Sequence, residues 1–282
     1  MNQEDSNFIQ QQLSINGITD PAYTTLIGKL VREIRSSGVR TLGIAGSQGS
    51  GKSTIARILK GLFEQESRYQ VALLSLDDYY KTREERLAMQ QTHPLFAVRG
   101  VPGTHDTAAM LAAKTALLAG EEAVLPKFDK GLDDRVGREV LPSGTNLLIL
   151  EGWCFGASPE PANRLERAVN ALEADEDPLG LWRREVNRHL ANDAYQSLFA
   201  VDYFLFFKAP SIDAILDWRL QQEQTVNQGP RSMSKSALQR FISHYQRITE
   251  WMLIDVPSHA NVVVELNADH TIANVIERND SA

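Results

Sequence analysis

The chain has few of the features that mark several large classes of protein. It has one cysteine, Cys154, in 282 residues. A single cysteine excludes an intrachain disulfide and a cysteine-rich metal site, which is typical of proteins in a reducing compartment. No apolar stretch reaches the roughly 18 residues of a membrane-spanning helix. The first twelve residues are polar and acidic, so we expect no signal peptide and predict a cytoplasmic protein without a membrane partner.

Positive charge is scarce and dispersed. The 29 Lys and Arg residues are outnumbered by 36 Asp and Glu, which gives a formal net charge of −7. No basic run is longer than two residues, so the chain lacks the charge pattern of proteins that bind nucleic acids or anionic membranes. With 43% hydrophobic residues, the chain can bury a full core as one α/β domain. The composition leaves the oligomeric state open.

Five β-like runs alternate with helical segments along the chain. They lie at 41–45, 70–76, 146–150, 203–208 and 261–266. This alternation predicts a parallel five-stranded sheet with helices on both faces. Residues 1–40 form an N-terminal helical part, in which we expect a helix over 21–35 with Asp20 as its N-cap and Pro21 at its first position.

Three connections, at 79–107, 158–201 and 221–256, are longer than a strand–helix link requires. Ligands of open α/β sheets bind outside the carboxyl ends of the strands, so such insertions are expected to shape a substrate site or a lid. A capping box of Thr82 and Glu85 predicts a short helix in the first insertion. The second insertion contains the acidic stretch 170–177, which we expect to be a solvated surface. We predict one domain over residues 1–282, with its core from residue 41 and a helical insertion at 158–201.

A glycine-rich loop between the first predicted strand and a helix expected at 54–63 is the most informative segment. Its glycines let backbone N–H groups converge on a phosphate, and the N-terminus of the helix points at the same anion. Lys52 supplies a mobile charge for the β- and γ-phosphates, and the Ser53 hydroxyl is placed to ligate Mg²⁺. The competing interpretation is a glycine-rich turn that binds nothing. The residues predicted to bind ATP are Gly46, Ser47, Gln48, Gly49, Ser50, Gly51, Lys52, Ser53 and Thr54.

Acidic residues follow the second and third predicted strands. A carboxylate one loop away from the γ-phosphate can accept the proton of an attacking hydroxyl. We take Asp77 as this base, with Asp78 as the alternative. A turn that merely ends a strand with two aspartates would give the same pattern. Glu151, at the end of the third strand, can hold Mg²⁺ from the second side or serve as a structural carboxylate.

Residues 99–106 contain two glycines and a proline, from which Arg99, His105 and Asp106 project. An arginine can clamp a carboxylate with two hydrogen bonds, while His and Asp side chains can bind hydroxyls. This combination suits a small hydroxy acid, and a turn in which Asp106 caps a helix is the competing interpretation. A second mixed loop, 126–135, ends in Arg135, which could add positive charge to the same site.

Together these motifs resemble those of the plant and fungal type of glycerate kinases, which are P-loop kinases related to phosphoribulokinase, uridine kinase and pantothenate kinase. The similar segments cover most of the chain from about residue 41 onward, and lie at 46–53, 76–80, 99–106, 128–130, 151–153, 172–178, 182–184 and 218–221. The resemblance implies a P-loop NTPase fold, MgATP as phosphoryl donor, D-glycerate as acceptor and 3-phosphoglycerate as product.

The resemblance also implies that residues 218–250 form a helical lid. Arg219 in that lid could neutralise the transferring phosphoryl group, and a surface arginine is the competing interpretation. The acceptor site would contain Asp78, Tyr80, Arg99, His105, Asp106 and Arg135. The chain departs from the family after Gly229, where 233–236 read Met-Ser-Lys-Ser and acidic residues are usual, and in the dipeptide between Gly100 and Gly103.

Two alternative functions remain at this stage. Related folds act on pantothenate, nucleosides or sugar phosphates, so the acceptor could be another small hydroxylated metabolite. A non-catalytic P-loop switch is a different class, but it would carry a base-recognition element of the Asn-Lys-x-Asp type. The end of the fourth predicted strand, at 207–210, reads Phe-Lys-Ala-Pro instead.

Overall fold

The computed structural model describes residues 2–226 and 234–278. Its helices are α1 (Gln3–Ile15), α2 (Ala22–Ser37), α3 (Lys52–Phe63), α4 (Arg83–Met89), α5 (Thr107–Leu118), α6 (Ala171–Glu176), α7 (Leu181–Leu190), α8 (Asp193–Phe199), α9 (Ile212–Val226) and α10 (Lys235–Asp255). Its strands are β1 (Thr41–Gly46), β2 (Val71–Ser75), β3 (Ala123–Asp129), β4 (Asp134–Leu141), β5 (Leu147–Gly152), β6 (Tyr203–Lys208), β7 (Val262–Leu266) and β8 (Ile272–Glu277). Short 3₁₀ turns lie at Leu76–Tyr79, Pro94–Ala97, Ala162–Glu166 and Val256–Ser258.

The main sheet of the described residues has six strands in the order β2-β5-β1-β6-β7-β8. The five predicted strands are all present and pair in parallel, which confirms the α/β fold class. All six residues of β1 and of β5 are buried, as expected for central strands covered on both faces. The sixth strand, β8, pairs with β7 in the antiparallel direction and was not predicted. It is a partly exposed edge strand, so its sequence has no continuous apolar run.

A second, two-stranded sheet was also not predicted. It is the antiparallel hairpin of β3 and β4. The hairpin includes residues 126–135, which the sequence showed only as a mixed polar segment. Most of the residues of β4 are exposed, and this explains the weak strand signal. Because β3 packs against the 3₁₀ turn that follows β2, the turn of the hairpin lies near the carboxyl end of that strand.

Helices cover both faces of the main sheet. Ile9 of α1, Leu26 of α2 and Ile55 of α3 belong to the apolar layer on one face, and Met110 of α5 and Met252 of α10 belong to the layer on the other. The N-terminal part therefore contains two helices, α1 and α2, where one was expected. The boundary prediction for α2 was close, since the Asp20 carboxylate accepts a hydrogen bond from the N–H of its first residue at 2.9 Å. The capping box of Thr82 and Glu85 is confirmed at the start of α4.

The acidic stretch 170–177 is a solvated surface only in part, because two of its four acids are exposed and the other two are buried. Glu173 is 0% exposed and Asp177 is 2% exposed. Glu173 pairs with Arg247 of α10 at 2.6 Å, and Asp177 pairs with Arg183 at 3.1 Å. The arginine that allows Glu173 to be buried lies 74 residues away in the chain, so the local sequence carried no sign of it.

The inserted stretch 158–201 contains α6, α7 and α8. That residues 1–282 form one domain stays a prediction. In the part of the chain that the structure describes, no helix is both long and apolar enough to cross a bilayer.

Candidate active site

The glycine-rich loop connects the end of β1 to the start of α3, which confirms the predicted strand–loop–helix context. Gly49 has a φ of 85°, and a Cβ at this position would lie 2.8 Å from the Cβ of Trp218. Only glycine therefore fits both the backbone and the neighbouring helix α9. Ser47 and Ser50 are buried, and their hydroxyls have no hydrogen-bond partner among the described residues. The loop is built as an anion cradle at a helix N-terminus.

Behind the loop lies a small cluster of hydroxyl and carboxylate groups. Ser53 Oγ and Ser75 Oγ donate to Glu151 Oε1 at 3.1 and 2.6 Å. The contact of Ser75 with Glu151 follows from strand pairing, because the two residues lie directly opposite each other in the β2–β5 register. Glu151 is 5% exposed, and its Oε2 atom has no partner among the described residues. A serine hydroxyl and one carboxylate are suitable protein ligands for Mg²⁺, which takes its other ligands from water and phosphate oxygens.

Asp77 lies in the 3₁₀ turn after β2, and both of its carboxylate oxygens are hydrogen-bonded. Tyr80 Oη donates to Oδ1 at 2.5 Å, and Lys130 Nζ donates to Oδ2 at 2.6 Å. Burial by itself raises the pKa of Asp77. The charges of Lys130 and Lys52, together with the two hydrogen bonds, outweigh burial and hold this pKa well below its usual range. Asp77 is thus ionised at neutral pH and lies within electrostatic reach of the loop lysine.

The neighbouring Asp78 has the opposite character. Burial, reinforced by the negative charges of Asp77 and Glu151, raises the pKa of Asp78 to about 6. The two aspartates therefore have well-separated proton affinities, which makes their roles distinguishable by pH.

Tyr80 connects the Asp77 turn to the loop 99–106. It is 4% exposed, pairs with His105 across an isolated antiparallel bridge, and stacks on the His105 ring at a centroid distance of 5.0 Å. Because its hydroxyl donates to Asp77, Tyr80 orients the proposed base. Its predicted contact with the acceptor stays a prediction.

The two arginines predicted for the acceptor site, Arg99 and Arg135, are each paired with a carboxylate. The Arg99 guanidinium pairs with Asp133 of the hairpin turn. Arg135 donates to Asp106 Oδ2 at 3.0 Å and to the Tyr80 carbonyl at 2.9 Å. Asp106 also caps α5, since its Oδ1 accepts from the N–H of Ala109 at 3.0 Å. Asp106 therefore caps a helix and also belongs to a group of polar side chains, so both interpretations of this loop hold. Arg99, Asp106 and Arg135 lie around the Asp77 turn.

Arg219 lies on α9, directly after the tryptophan that packs on the glycine-rich loop. Its guanidinium hydrogen-bonds to Gln222 and lies 5.9 Å from the ring centroid of Phe241 on α10. The Arg219 guanidinium thus lies between α9, which packs on the glycine-rich loop, and α10. That Arg219 acts on a phosphoryl group stays a prediction. The predicted lid also includes Gly229 and Met233, which lie outside the described residues.

Sequence comparison decides the family. Over 220 residues the chain is 33% identical to the uncharacterized kinase mug58 of Schizosaccharomyces pombe, a match that spans 72% of this chain and 77% of that protein. The chain belongs to the P-loop kinases of the phosphoribulokinase, uridine kinase and pantothenate kinase group. It is therefore a small-molecule kinase.

Other relatives of this kinase are more distant. It is 25% identical over 256 residues to the pantothenate kinase of Clavibacter michiganensis subsp. michiganensis, covering 84% of this chain and 69% of that protein. The solved D-glycerate 3-kinase of Cryptococcus neoformans superposes with a TM-score of 0.72 at 22% identity and covers 98% of both chains. At that identity the superposition supports the fold alone. No family model matches the chain.

Sequence reasoning missed Tyr195 of α8, which contacts the loop 99–106. Its hydroxyl accepts a hydrogen bond from the N–H of Gly103 at 2.9 Å and lies 2.8 Å from His105 Nδ1. The two atoms share one hydrogen bond, whose donor depends on the His105 tautomer. Burial lowers the pKa of His105 to about 3, so the ring is neutral. The Nε2 atom of this buried ring has no partner among the described residues. Tyr195 lies 90 residues from His105, and no local motif marks it.

Proposed function

We propose that the kinase transfers the γ-phosphate of ATP to a hydroxyl of D-glycerate and forms ADP and 3-phosphoglycerate. The observation that carries the reaction type is the position of Asp77. This ionised carboxylate lies within the field of Lys52 and is oriented by Tyr80, which also stacks on His105 of the loop 99–106.

The residues have separate roles in this reaction. The backbone N–H groups of residues 46–51 and the ammonium of Lys52 bind the β- and γ-phosphates and stabilise charge as it moves toward the leaving oxygen. Asp77 accepts the proton of the acceptor hydroxyl, whose oxygen forms the new bond to phosphorus while the bond to ADP breaks. Ser53 and Glu151 would hold Mg²⁺, which supplies Lewis-acid neutralisation of the phosphate oxygens.

The choice of D-glycerate rests on two supports. The first is the motif at 99–106, which resembles that of the glycerate kinases. The site also contains Arg99, Lys130 and Arg135 beside the proposed base, which suits an acceptor that carries a negative charge.

Pantothenate is the second candidate acceptor. The observation in its favour is the similarity to a pantothenate kinase over 84% of the chain. Pantothenate also combines a hydroxyl with a carboxylate, so the same cations could receive it. A nucleoside has no carboxylate for them to bind.

An assay of ADP release over a panel of D-glycerate, L-glycerate, pantothenate and uridine tests the proposal. D-glycerate should increase ATP turnover the most, and the product should be identified as 3-phosphoglycerate. Turnover with pantothenate or uridine but not with glycerate would move the assignment to that acceptor. If none of the four compounds increases ATP turnover, both candidate acceptors are wrong and the acceptor is another small hydroxylated metabolite, such as a sugar phosphate.

A further inference from the structure

The turn between β3 and β4 is held in place by two arginines, while one of its side chains remains exposed. Arg86, which is 1% exposed, donates to the Asp133 carbonyl at 2.6 Å, and Arg99 pairs with the Asp133 carboxylate. Arg99 also donates to the Lys130 carbonyl at 3.3 Å. The backbone of the turn is thus fixed. The Lys130 side chain is 61% exposed and reaches Asp77 as an ion-pair partner.

Lys130 competes with an acceptor hydroxyl for the carboxylate of Asp77. Each carboxylate oxygen of Asp77 already accepts one hydrogen bond, from Tyr80 at Oδ1 and from Lys130 at Oδ2, so an acceptor hydroxyl has to share an oxygen with one of them. Tyr80 is buried and stacked on His105, so its position is fixed. Lys130 has a long exposed side chain and is the partner that can move away.

An anion on the acceptor can cause this movement. The Lys130–Asp77 pair keeps solvent access on both sides, with 61% and 31% of the side chains exposed. The exposed Lys130 ammonium can leave Asp77 without losing its hydration, so a second carboxylate can compete for it. A neutral polyol offers no such competitor.

We propose that Lys130 is a specificity residue that covers Asp77 until a carboxylate-bearing acceptor draws its ammonium away. The kinase would thereby select short hydroxy acids over neutral polyols. This inference rests on the proposed function and adds the group that recognises the acceptor's negative charge. Lys130 keeps its proton throughout, since the hydroxyl proton passes to Asp77 and the phosphoryl group passes to the hydroxyl oxygen.

D-glycerate and glycerol are suitable probes, because they differ only in a carboxylate against a hydroxymethyl group. The test compares Lys130→Met with Lys127→Met, a matched control on the same hairpin whose lysine is 57% exposed and pairs with Glu139 at 3.1 Å. In Lys130→Met, kcat/KM for D-glycerate should fall about 10- to 100-fold, the range of a charge-assisted hydrogen bond. Its kcat/KM for glycerol should stay the same or rise. Lys127→Met should change neither value.

Equal losses on D-glycerate and glycerol would assign Lys130 to phosphoryl transfer or to the fold, and unchanged values on both would show that the ion pair has no role. Either result overturns the proposal. A second measurement does not depend on glycerate. ATP hydrolysis without acceptor should be severalfold faster in Lys130→Met than in Lys127→Met, and adding Asp77→Asn should remove the gain. If glycerate is not a substrate but this gain appears, the proposed acceptor is wrong and the covering of Asp77 stands. No gain would overturn the covering role itself.

Discussion

Two regions of the kinase bury carboxylates beside basic side chains, and they differ in how completely those groups are paired. Where α10 meets the insertion, Arg247 is 6% exposed and all five of its N–H donors are used. They reach Glu173 twice, Glu160 once, and the carbonyls of Arg164 and Arg167. At the carboxyl ends of β1, β2 and β5, by contrast, Glu151 Oε2, His105 Nε2 and the hydroxyls of Ser47 and Ser50 have no partner among the described residues.

This difference separates structural charges from functional ones. A buried charge whose donors are all matched holds elements together, and removing one partner leaves the others unpaired. Buried polar atoms without partners destabilise a fold, so several of them at one edge of a sheet indicate a site kept for a ligand. The following predictions test that separation, from the largest expected effect to the smallest.

Lys52→Ala should abolish phosphoryl transfer and leave the fold intact. Its charge is needed mainly as negative charge moves toward the leaving oxygen, so the loss should appear in kcat. Turnover and the unfolding transition are measured side by side. A folded variant that keeps more than about a tenth of wild-type turnover, a cost below ~1.4 kcal/mol, would show that Lys52 is not part of the machinery.

Asp77→Asn should keep the affinity for ATP and lose about 10²- to 10⁴-fold in rate, the usual contribution of a general base. The matched variant is Asp78→Asn, which should lose less. If Asp78→Asn shows the larger loss, the base is Asp78 and the assignment at this strand end is off by one residue.

The pH profile of kcat/KM tests the same pair independently. A base acts in its deprotonated form, so activity falls as the pH drops through its pKa. The pKa of Asp78 is raised to about 6 and that of Asp77 is well below its usual range. With Asp77 as the base, neither aspartate should produce an acid limb near pH 6, whereas Asp78 as the base would produce one there.

Arg247→Met should lower the free energy of unfolding by about 3–5 kcal/mol, because Glu173 and Glu160 remain buried without their cation. The deficit should shrink between pH 8 and pH 5, since burial raises the pKa of Glu160 and Arg247 is the main group that opposes the shift. Urea unfolding measures both effects. Arg240→Met is the control, because its pair with Glu176 is about half exposed and should contribute less than about 1 kcal/mol. Equal losses in the free energy of unfolding would show that the fully paired Arg247 stabilises the fold no more than the exposed Arg240 pair does.

Arg99→Lys should reduce kcat/KM for D-glycerate by a factor that corresponds to a loss of roughly 1–3 kcal/mol in transition-state stabilisation, with little change in the KM for ATP. Lysine keeps the charge but cannot make the planar two-bond contact. A loss confined to glycerate, with glycerol unaffected, would place Arg99 on the acceptor carboxylate. Equal losses on both would restrict it to holding the hairpin turn through Asp133, and equal weakening of ATP and glycerate would place it in the nucleotide site or the framework.

Local sequence was enough where a motif and its structural context are adjacent in the chain. The loop 46–53, the turn with Asp77 and the strand end with Glu151 were all found, because a buried parallel strand is a continuous apolar run and its end is readable. The antiparallel edge strand β8 and the hairpin β3–β4 were missed, since half-exposed strands have no such run. Tyr195 was missed because its contact with His105 spans 90 residues.

The sequence by itself determined the fold class, the phosphate-binding loop and the strand ends at which chemistry can occur, because these depend on local periodicity and glycine placement. Only the tertiary structure decided which charges are paired. It brought Arg247 to Glu173 in the 170–177 segment, and it placed Arg99 on Asp133 and Lys130 on Asp77. The physical reason is that the cost of burying a charge depends on partners brought in by folding, and these lie tens of residues away.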